Sequence, residues 1–378
     1  MPGWEVIDKK ESNALQKLFK EGGILFAHGF DKFRKKYHVR EFEKLSARKF
    51  NMKFAQAVTS GTAAIKIALL SLGVKRGDEV ITQAFNFIAT IEAILDIGAK
   101  PIIVDVDKTL NMCPDSLKRS ITKKTKAIIP VHMLGVPAKM GAIMKIARDK
   151  KIKVIEDNCE AMGAKLGKKY LCSIGDIGVV SLDFSKSITC GEGGMIYTNN
   201  KKLFKFFREY HDHGHENNSR LPRGMDTRTI YGFNYRITEM QAVVGKVQLS
   251  KLNKIINLQK KRYKELNDIL KKRYELREIP KNSKITFDTF IFFVKDKNIR
   301  NKVIKLLNKK KFGTKNLPDA IKWHCSAFWD HALDKKEVKK SIPTKNLLNT
   351  AIAIPISLKR SIKDYRNLSN QISKIALL

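Results

Sequence analysis

The sequence predicts an α/β protein in which a mostly parallel mixed sheet lies between helices and a smaller α/β unit follows. Three observations carry this expectation. Short β-branched runs alternate with amphipathic segments from about residue 60 to about residue 200. Consecutive strands joined by helices imply right-handed crossovers, hence parallel neighbours with ligands at the strands' carboxyl ends. Beyond residue 238 a long helical pattern leads into a second group of strand and helix signals.

Taken in order, strands are expected at Glu79–Thr82, Pro101–Val106, Ala127–Val131, Lys153–Asp157, Gly178–Leu182 and Met195–Thr198. Helical patterns fall at Ala63–Leu72, Ile88–Ile97, Gly141–Asp149 and Lys202–Tyr210. The last two strands are tightly spaced around Gly191–Gly194, so that pair is expected to depart from parallel order. From Thr238 to about Lys272 there is no proline and no breaker beyond Gly245, which suits a connecting helix. A strand at Phe290–Val294, a helix at Arg300–Asn308 and a terminal helix near Asn367–Ile375 complete the second unit. The expected division is a large unit over residues 1–255, with an amino-terminal arm at about 1–25, and a small unit over 256–378.

Composition excludes several classes. Hydrophobic residues at 43% and charged residues at 29% of 378 rule out disordered and collagen-like chains. No apolar stretch approaches the roughly 18 residues of a membrane span, and Met1 to Lys10 lacks the apolar block of a secretory signal, so a cytoplasmic protein is expected. Cys113, Cys159, Cys172, Cys190 and Cys325 form no zinc spacing and no closed disulfide set, which leaves reduced thiols. The 74 Lys+Arg outnumber 37 Asp+Glu, a formal charge of +37. These cations are scattered rather than gathered into an arm, which argues for a solvated surface and against a nucleic-acid partner.

Chemistry concentrates in four places. Ser60-Gly61-Thr62-Ala63-Ala64 opens a helix, where free N–H donors suit a phosphate; an ordinary helix cap explains the same turn. Glu156-Asp157-Asn158-Cys159-Glu160 ends an Ile/Val strand, and an acid there faces the crevice. It suits a partner for a pyridine nitrogen, a magnesium ligand or a solvated strand end. Ser181 to Gly194 runs from a strand into a glycine-rich reversal around Lys186, flanked by small hydroxyl residues. An imine-forming lysine needs a lowered pKa, which burial near other cations is expected to provide. Gly232-Phe233-Asn234-Tyr235-Arg236 precedes the long helix, and Asn234 suits either a cap or an anion donor.

In order and spacing, these four segments together resemble the DegT/DnrJ/EryC1/StrS family of pyridoxal-phosphate sugar aminotransferases. The likeness runs from about Gly22 to about Gln259, includes Phe85–Thr90, and weakens afterwards to points such as Ile354–Leu358. It implies the type I aminotransferase fold, pyridoxal 5′-phosphate as cofactor, and a homodimer with shared active sites. By resemblance Lys186 carries the cofactor covalently and shuttles the proton, and Asp157 pairs with the pyridine nitrogen. Phe87 lies on the ring face; Gly61, Thr62, Ala63 and Ser181 hold the phosphate; Asn234 reaches the phosphate of the neighbouring subunit. Glu160 stands where many relatives carry a glutamine beside the phenolic oxygen, an unfavourable pairing unless one group holds a proton. A family branch with histidine in place of the lysine dehydrates sugars; Lys186 favours amino transfer from L-glutamate to an anionic keto-sugar.

Met1-Pro2-Gly3-Trp4-Glu5, Val131–Gly135 with Lys139-Met140, Ile188–Cys190 and Asp212–His215 are similar to one branch. Its acceptor is 8-oxo-3-deoxy-manno-octulosonate, a lipopolysaccharide sugar acid without a nucleotide. The alternatives are a nucleotide-linked 3-keto- or 4-keto-sugar acceptor, a non-catalytic cofactor-binding regulator, and, last, a nucleic-acid binder. His211, His213 and His215 would share one face of an extended segment, but pyridoxal chemistry needs no metal, and none is expected. His213, Arg223, Arg228 and Arg236 are candidate substrate contacts; a solvated loop is the plain alternative for Arg223 and Arg228. Trp323, His324 and Trp329 suit either a pocket wall or aromatic packing.

Overall fold

A computed structural model describes residues 2–218, 220–222 and 224–375. Seven strands build the main sheet: β1 (Phe54–Val58), β2 (Glu79–Gln83), β3 (Lys100–Val104), β4 (Thr125–Ile129), β5 (Lys153–Asp157), and two later ones. The hairpin β6 (Lys165–Leu166) and β7 (Lys169–Tyr170) stands apart, and β8 (Ile177–Ser181) and β9 (Gly194–Thr198) return to the sheet. The spatial order is β1-β9-β8-β5-β4-β2-β3. Pairings from β3 through β8 are parallel, whereas β8–β9 and β1–β9 are antiparallel. The mixed, mostly parallel α/β sheet and the departure at the Gly191–Gly194 reversal agree with the sequence reading.

Apolar runs explain the interior position of these strands. All five residues of β8 and of β9 are buried, as are the last four of β2, β3 and β5. A strand covered on both faces carries such a continuous run. Edge strand β1 escaped the sequence reading because Ala55, Gln56 and Ala57 dilute its β-branched signal. Gln56 is nevertheless buried, donating to Glu43 Oε1 at 2.7 Å.

Helices α1 (Lys9–Lys20), α2 (His38–Lys49), α3 (Gly61–Ser71), α4 (Ala89–Asp96), α5 (Pro114–Ser120), α6 (Met140–Asp149) and α7 (Lys201–Tyr210) precede the long α8 (Glu239–Leu270). At 32 residues, α8 is about 48 Å long. A reciprocal Thr238–Gln241 capping box starts it. The expected breaker, Gly245, is an approach point: a Cβ there would lie 2.7 Å from the Phe42 ring of α2. No helix of the described residues is long and apolar enough to cross a membrane.

After α8 come β10 (Glu275–Leu276), β11 (Ser283–Lys284), β12 (Thr289–Phe293) and β13 (Ala351–Pro355), with α9 (Lys297–Lys309) and the helix Ile362–Ile375. β10, β12 and β13 form an antiparallel sheet. Phe290, Phe292, Ile352, Ile354 and Tyr365 pack there with Leu266 and Leu270 of α8. The far half of α8 therefore packs against this second sheet.

Candidate active site

The carboxyl ends of β5 and β8 and the amino end of α3 meet at one crevice. Asp157 closes β5 at 3% exposure, and both carboxylate oxygens are anchored. Thr90 Oγ1 donates to one at 3.0 Å and the Cys159 amide to the other at 3.1 Å. The Asp157 backbone is tied to the next strand's end, through Pro130 O at 3.0 Å and His132 N at 2.9 Å. A carboxylate fixed this way keeps its direction while its charge faces the pocket.

Lys186 sits in the loop between β8 and β9, its Nζ 3.8 Å from Glu160 Oε1 and its side chain 16% exposed. Burial pulls its pKa down, but the carboxylates Glu160, Asp183 and Asp157 outweigh that and raise it above the ordinary lysine value. This corrects the expectation of a lowered pKa, because the fold surrounds the amine with carboxylates rather than cations. Burial pushes Glu160 up, yet Lys186, Lys315 and His324 prevail and hold it below the usual carboxylate range. The Leu134 amide donates to Glu160 Oε2 at 3.2 Å. Glu160 and Asp157 both act electrostatically on this amine, which puts the sequence-predicted acid and lysine in one electrostatic neighbourhood.

Ser60 caps α3 by accepting from the Ala63 amide at 3.0 Å. Gly61 lies where only glycine seats easily: a Cβ would come within 3.0 Å of Ser181 Cβ and 3.2 Å of Cys159 Sγ. Thr62 is exposed at this helix end, and Ser181, accepting from the Asp183 amide at 3.3 Å, is buried beside it. Phe87 is 44% exposed, and its ring stands 5.6 Å from that of His324. The Phe87 amide donates to Asn86 Oδ1 at 2.7 Å, so the residue carrying the ring is held on the Asn86–Thr90 turn that also braces Asp157. Trp329 is buried in the core, and Trp323 is exposed.

The other candidates behave differently. Asn234 is exposed, on a segment bridged to Asp212. Arg236 is already neutralised, its Nη1 2.6 Å from Asp212 Oδ1. Arg228 is exposed, and Arg223 lies outside the described residues. The three histidines do not share a face, because the chain leaves α7 in a turn with His213 at φ 52°. His211 and His215 are buried and His213 is exposed. His211 touches Gln56, and His215 pairs with Asp226 at 2.9 Å. Among the described residues no group of three or more His, Cys, Asp or Glu is placed to hold a metal.

Several functional neighbours were not singled out from sequence. Lys315, paired with buried Asp288 at 2.6 Å, brings a second ammonium to bear on Glu160. Buried Arg277 donates to Thr109 O at 2.7 Å, Met133 O at 2.8 Å and Leu134 O at 3.3 Å. It thereby fixes the turn whose Leu134 amide holds Glu160. Thr90 lay inside the recognised Phe85–Thr90 stretch, whereas the others carried no local signal among 74 basic residues.

These residues fit pyridoxal 5′-phosphate: an amine and an anchored carboxylate in one pocket, an aromatic face beside them, and a helix amino terminus for a phosphate. With the strand order described above, they define a pyridoxal-phosphate-dependent aminotransferase. The DegT/DnrJ/EryC1/StrS aminotransferase family pattern matches residues 27–372, and the chain belongs to that family of sugar aminotransferases. GDP-perosamine synthase of Escherichia coli O157:H7 is 37% identical over 255 residues, 67% of this chain and 68% of that protein. A UDP-N-acetyl-3-dehydro-alpha-D-glucosamine 3-aminotransferase of Acidithiobacillus ferrooxidans is 40% identical over 195 residues, 51% of each chain. The crystal structure of an aminotransferase from Psychrobacter cryohalolentis superposes with a TM-score of 0.85 at 26% identity, covering 98% of both chains.

Proposed function

We propose that this chain moves an amino group from L-glutamate to 8-oxo-3-deoxy-manno-octulosonate, giving the 8-amino-3,8-dideoxy sugar acid used in lipopolysaccharide. One observation supports amino transfer: a lysine amine, not an imidazole, lies 3.8 Å from Glu160 and within electrostatic reach of Asp157. When bound, the cofactor supplies an electron-withdrawing ring that accepts the electron pair freed at the donor carbon. Asp157, held by Thr90 and the Cys159 amide, would pair with the ring nitrogen and favour its protonated form. Lys186 would serve as the base that takes the proton from the donor Cα and then as the acid that gives it back, a role worth about 10²–10⁴ in rate. Phe87 would cover one ring face, and Gly61, Thr62, Ala63 and Ser181 would hold the phosphate at the start of α3.

Asn234 completes the phosphate site of a second copy in a homodimer. Its exposure, among the exposed apolar side chains of Tyr231 and Phe233, supports that role. His213, Arg223 and Arg228 remain with the acceptor, while Arg236 serves through Asp212 to hold the Asn234 segment. A cytoplasmic site of action goes with this reading.

The octulosonate acceptor is supported by where the branch-marking segments lie. Gly3 donates to Lys186 O at 3.0 Å, Gly135 to Glu160 O at 2.9 Å, and Leu134 to the Glu160 carboxylate. A nucleotide-linked 3-keto- or 4-keto-sugar is the second reading, favoured by the nucleotide-sugar activities named for the two relatives above. Glutamate-loaded enzyme mixed with a panel of these acceptors decides between them. Rapid 2-oxoglutarate formation sustained only by the octulosonate supports the first reading; turnover with a nucleotide keto-sugar alone overturns it.

A further inference from the structure

We propose that Gly3 and Glu5 are positioning residues for Lys186, because the segment Pro2–Val6 clasps the backbone of the lysine loop to the carboxyl-terminal sheet. The inference rests on reading Lys186 as the cofactor lysine.

One end of the clasp is a backbone contact that tolerates no side chain. The Gly3 amide donates to the Lys186 carbonyl at 3.0 Å. A Cβ on Gly3 would stand 2.6 Å from that same oxygen, 3.0 Å from Ile188 Cα and 3.1 Å from Ile188 C. Gly3 has φ −52° and ψ −46°, a conformation open to any residue, so the requirement is for space. All three clashing atoms are backbone, so a side chain could be admitted only by moving the loop that carries the amine. Next to it, the Trp4 ring stacks on Phe184 of the lysine loop, with centroids 5.7 Å apart and planes 20° from parallel.

The other end grips the segment that follows β13. Glu5 Oε1 accepts from Ser357 Oγ at 2.7 Å, and Oε2 accepts from the Leu358 amide at 2.6 Å. The Lys359 ammonium stands 3.9 Å over the Trp4 ring. A third anchor comes from α8, whose Lys251 donates to Val6 O at 2.7 Å and to Glu11 of α1 at 2.8 Å. Pro2 and Gly3 are buried beneath these contacts.

The geometry explains why such a clasp matters. Lys186 belongs to no strand; its own amide closes a turn onto Asp183 O at 3.0 Å. A loop backbone is freer to shift than a sheet strand, and the reacting nitrogen lies at the end of a flexible four-carbon stem. A misplacement of about 1 Å at a reacting group can cost about 10² in rate. By tying the Lys186 carbonyl to residues 357–358, the clasp makes amine placement depend on how the carboxyl-terminal sheet seats.

The test compares full-length, cofactor-loaded wild type with Gly3→Ala, Glu5→Ala and Glu5→Gln. Borohydride reduction and peptide mass spectrometry first locate the cofactor; a lysine other than 186 in wild type overturns the site reading and the clasp with it. With attachment at Lys186, Gly3→Ala and Glu5→Ala are expected to lose pyridoxal phosphate about tenfold faster on dilution. Their visible absorbance band should change its pH midpoint, and kcat should fall more than KM for glutamate rises. Glu5→Gln, which keeps one acceptor, should recover part of the retention. If Gly3→Ala does not fold, Glu5→Ala decides, since Glu5 reaches across to the 357–358 segment instead of the lysine loop. Wild-type retention and an unmoved pH midpoint in a folded Glu5→Ala protein overturn the proposal while leaving Lys186 attachment intact.

Discussion

Replacing Glu160 with glutamine should speed capture of the cofactor at neutral pH. Lys186 Nζ lies 3.8 Å from Glu160 Oε1, and at an effective dielectric near 20 two unit charges so placed attract by about 4 kcal/mol. That attraction favours the ammonium form, which cannot attack an aldehyde. Asp183 and Asp157 remain after the substitution, and Lys315 stays nearby, so only part of the attraction converts into a change in the amine. If a third of it does, about tenfold more of the amine is uncharged at a given pH. Glutamine retains an acceptor for the Leu134 amide, so the turn that holds residue 160 survives. The assay is stopped-flow absorbance of apoenzyme mixed with pyridoxal phosphate between pH 6 and 10. The rate profile of Glu160→Gln should move to lower pH, with a faster rate near pH 7; superimposable profiles would refute control of the amine by Glu160.

Three further outcomes follow from neighbouring contacts. Thr90→Val removes the hydroxyl that donates to Asp157 at 3.0 Å; loss of a hydrogen bond to a charged group, about 1.5–3 kcal/mol, should weaken cofactor binding at least tenfold in equilibrium dialysis. Arg277→Ala strips donors from Thr109 O, Met133 O and Leu134 O, and urea titration should show a loss of at least about 2 kcal/mol. Burial, helped by Arg40, holds His211 neutral and pushes it down to about 3. The unfolded chain therefore binds the extra proton first, and stability attributable to this group falls as pH drops from about 6.5 towards 3. His211→Asn should flatten that slope by about 1.4 kcal/mol per pH unit in urea titrations at stepped pH.

Much of the sheet was legible because its interior strands are continuous Val/Ile runs, as in Val154-Ile155 and Val179-Val180. Periodicity failed where packing replaced it: β1 is alanine-rich around a buried, hydrogen-bonded Gln56, and β13 begins Ala351-Ile352-Ala353. Lys186 and Asp157 were singled out because Asp157 stands at a strand's end and Lys186 in the glycine-rich loop that follows a strand, each within a distinctive local stretch. Lys315, Asp288 and Arg277 were not, since each looks like any other charge until folding brings it to Glu160 or to the turn at Met133 and Leu134. Charge direction was also beyond the sequence. An imine-forming lysine was expected to have its pKa lowered by burial near other cations, yet local folding gathered carboxylates around Lys186. Arg236 illustrates the same limit, because its partner Asp212 lies 24 residues away on a different turn.

The central claim is that one small heterocycle touches Lys186 and Asp157 together. Its most direct test is borohydride reduction of the cofactor-loaded wild type and of Asp157→Asn, followed by peptide mapping. The account predicts a phosphopyridoxyl group on the peptide containing Lys186 in both, with the absorbance band of the holoenzyme altered only when Asp157 is neutralised. A label on any other lysine, or a spectrum indifferent to Asp157, would contradict it.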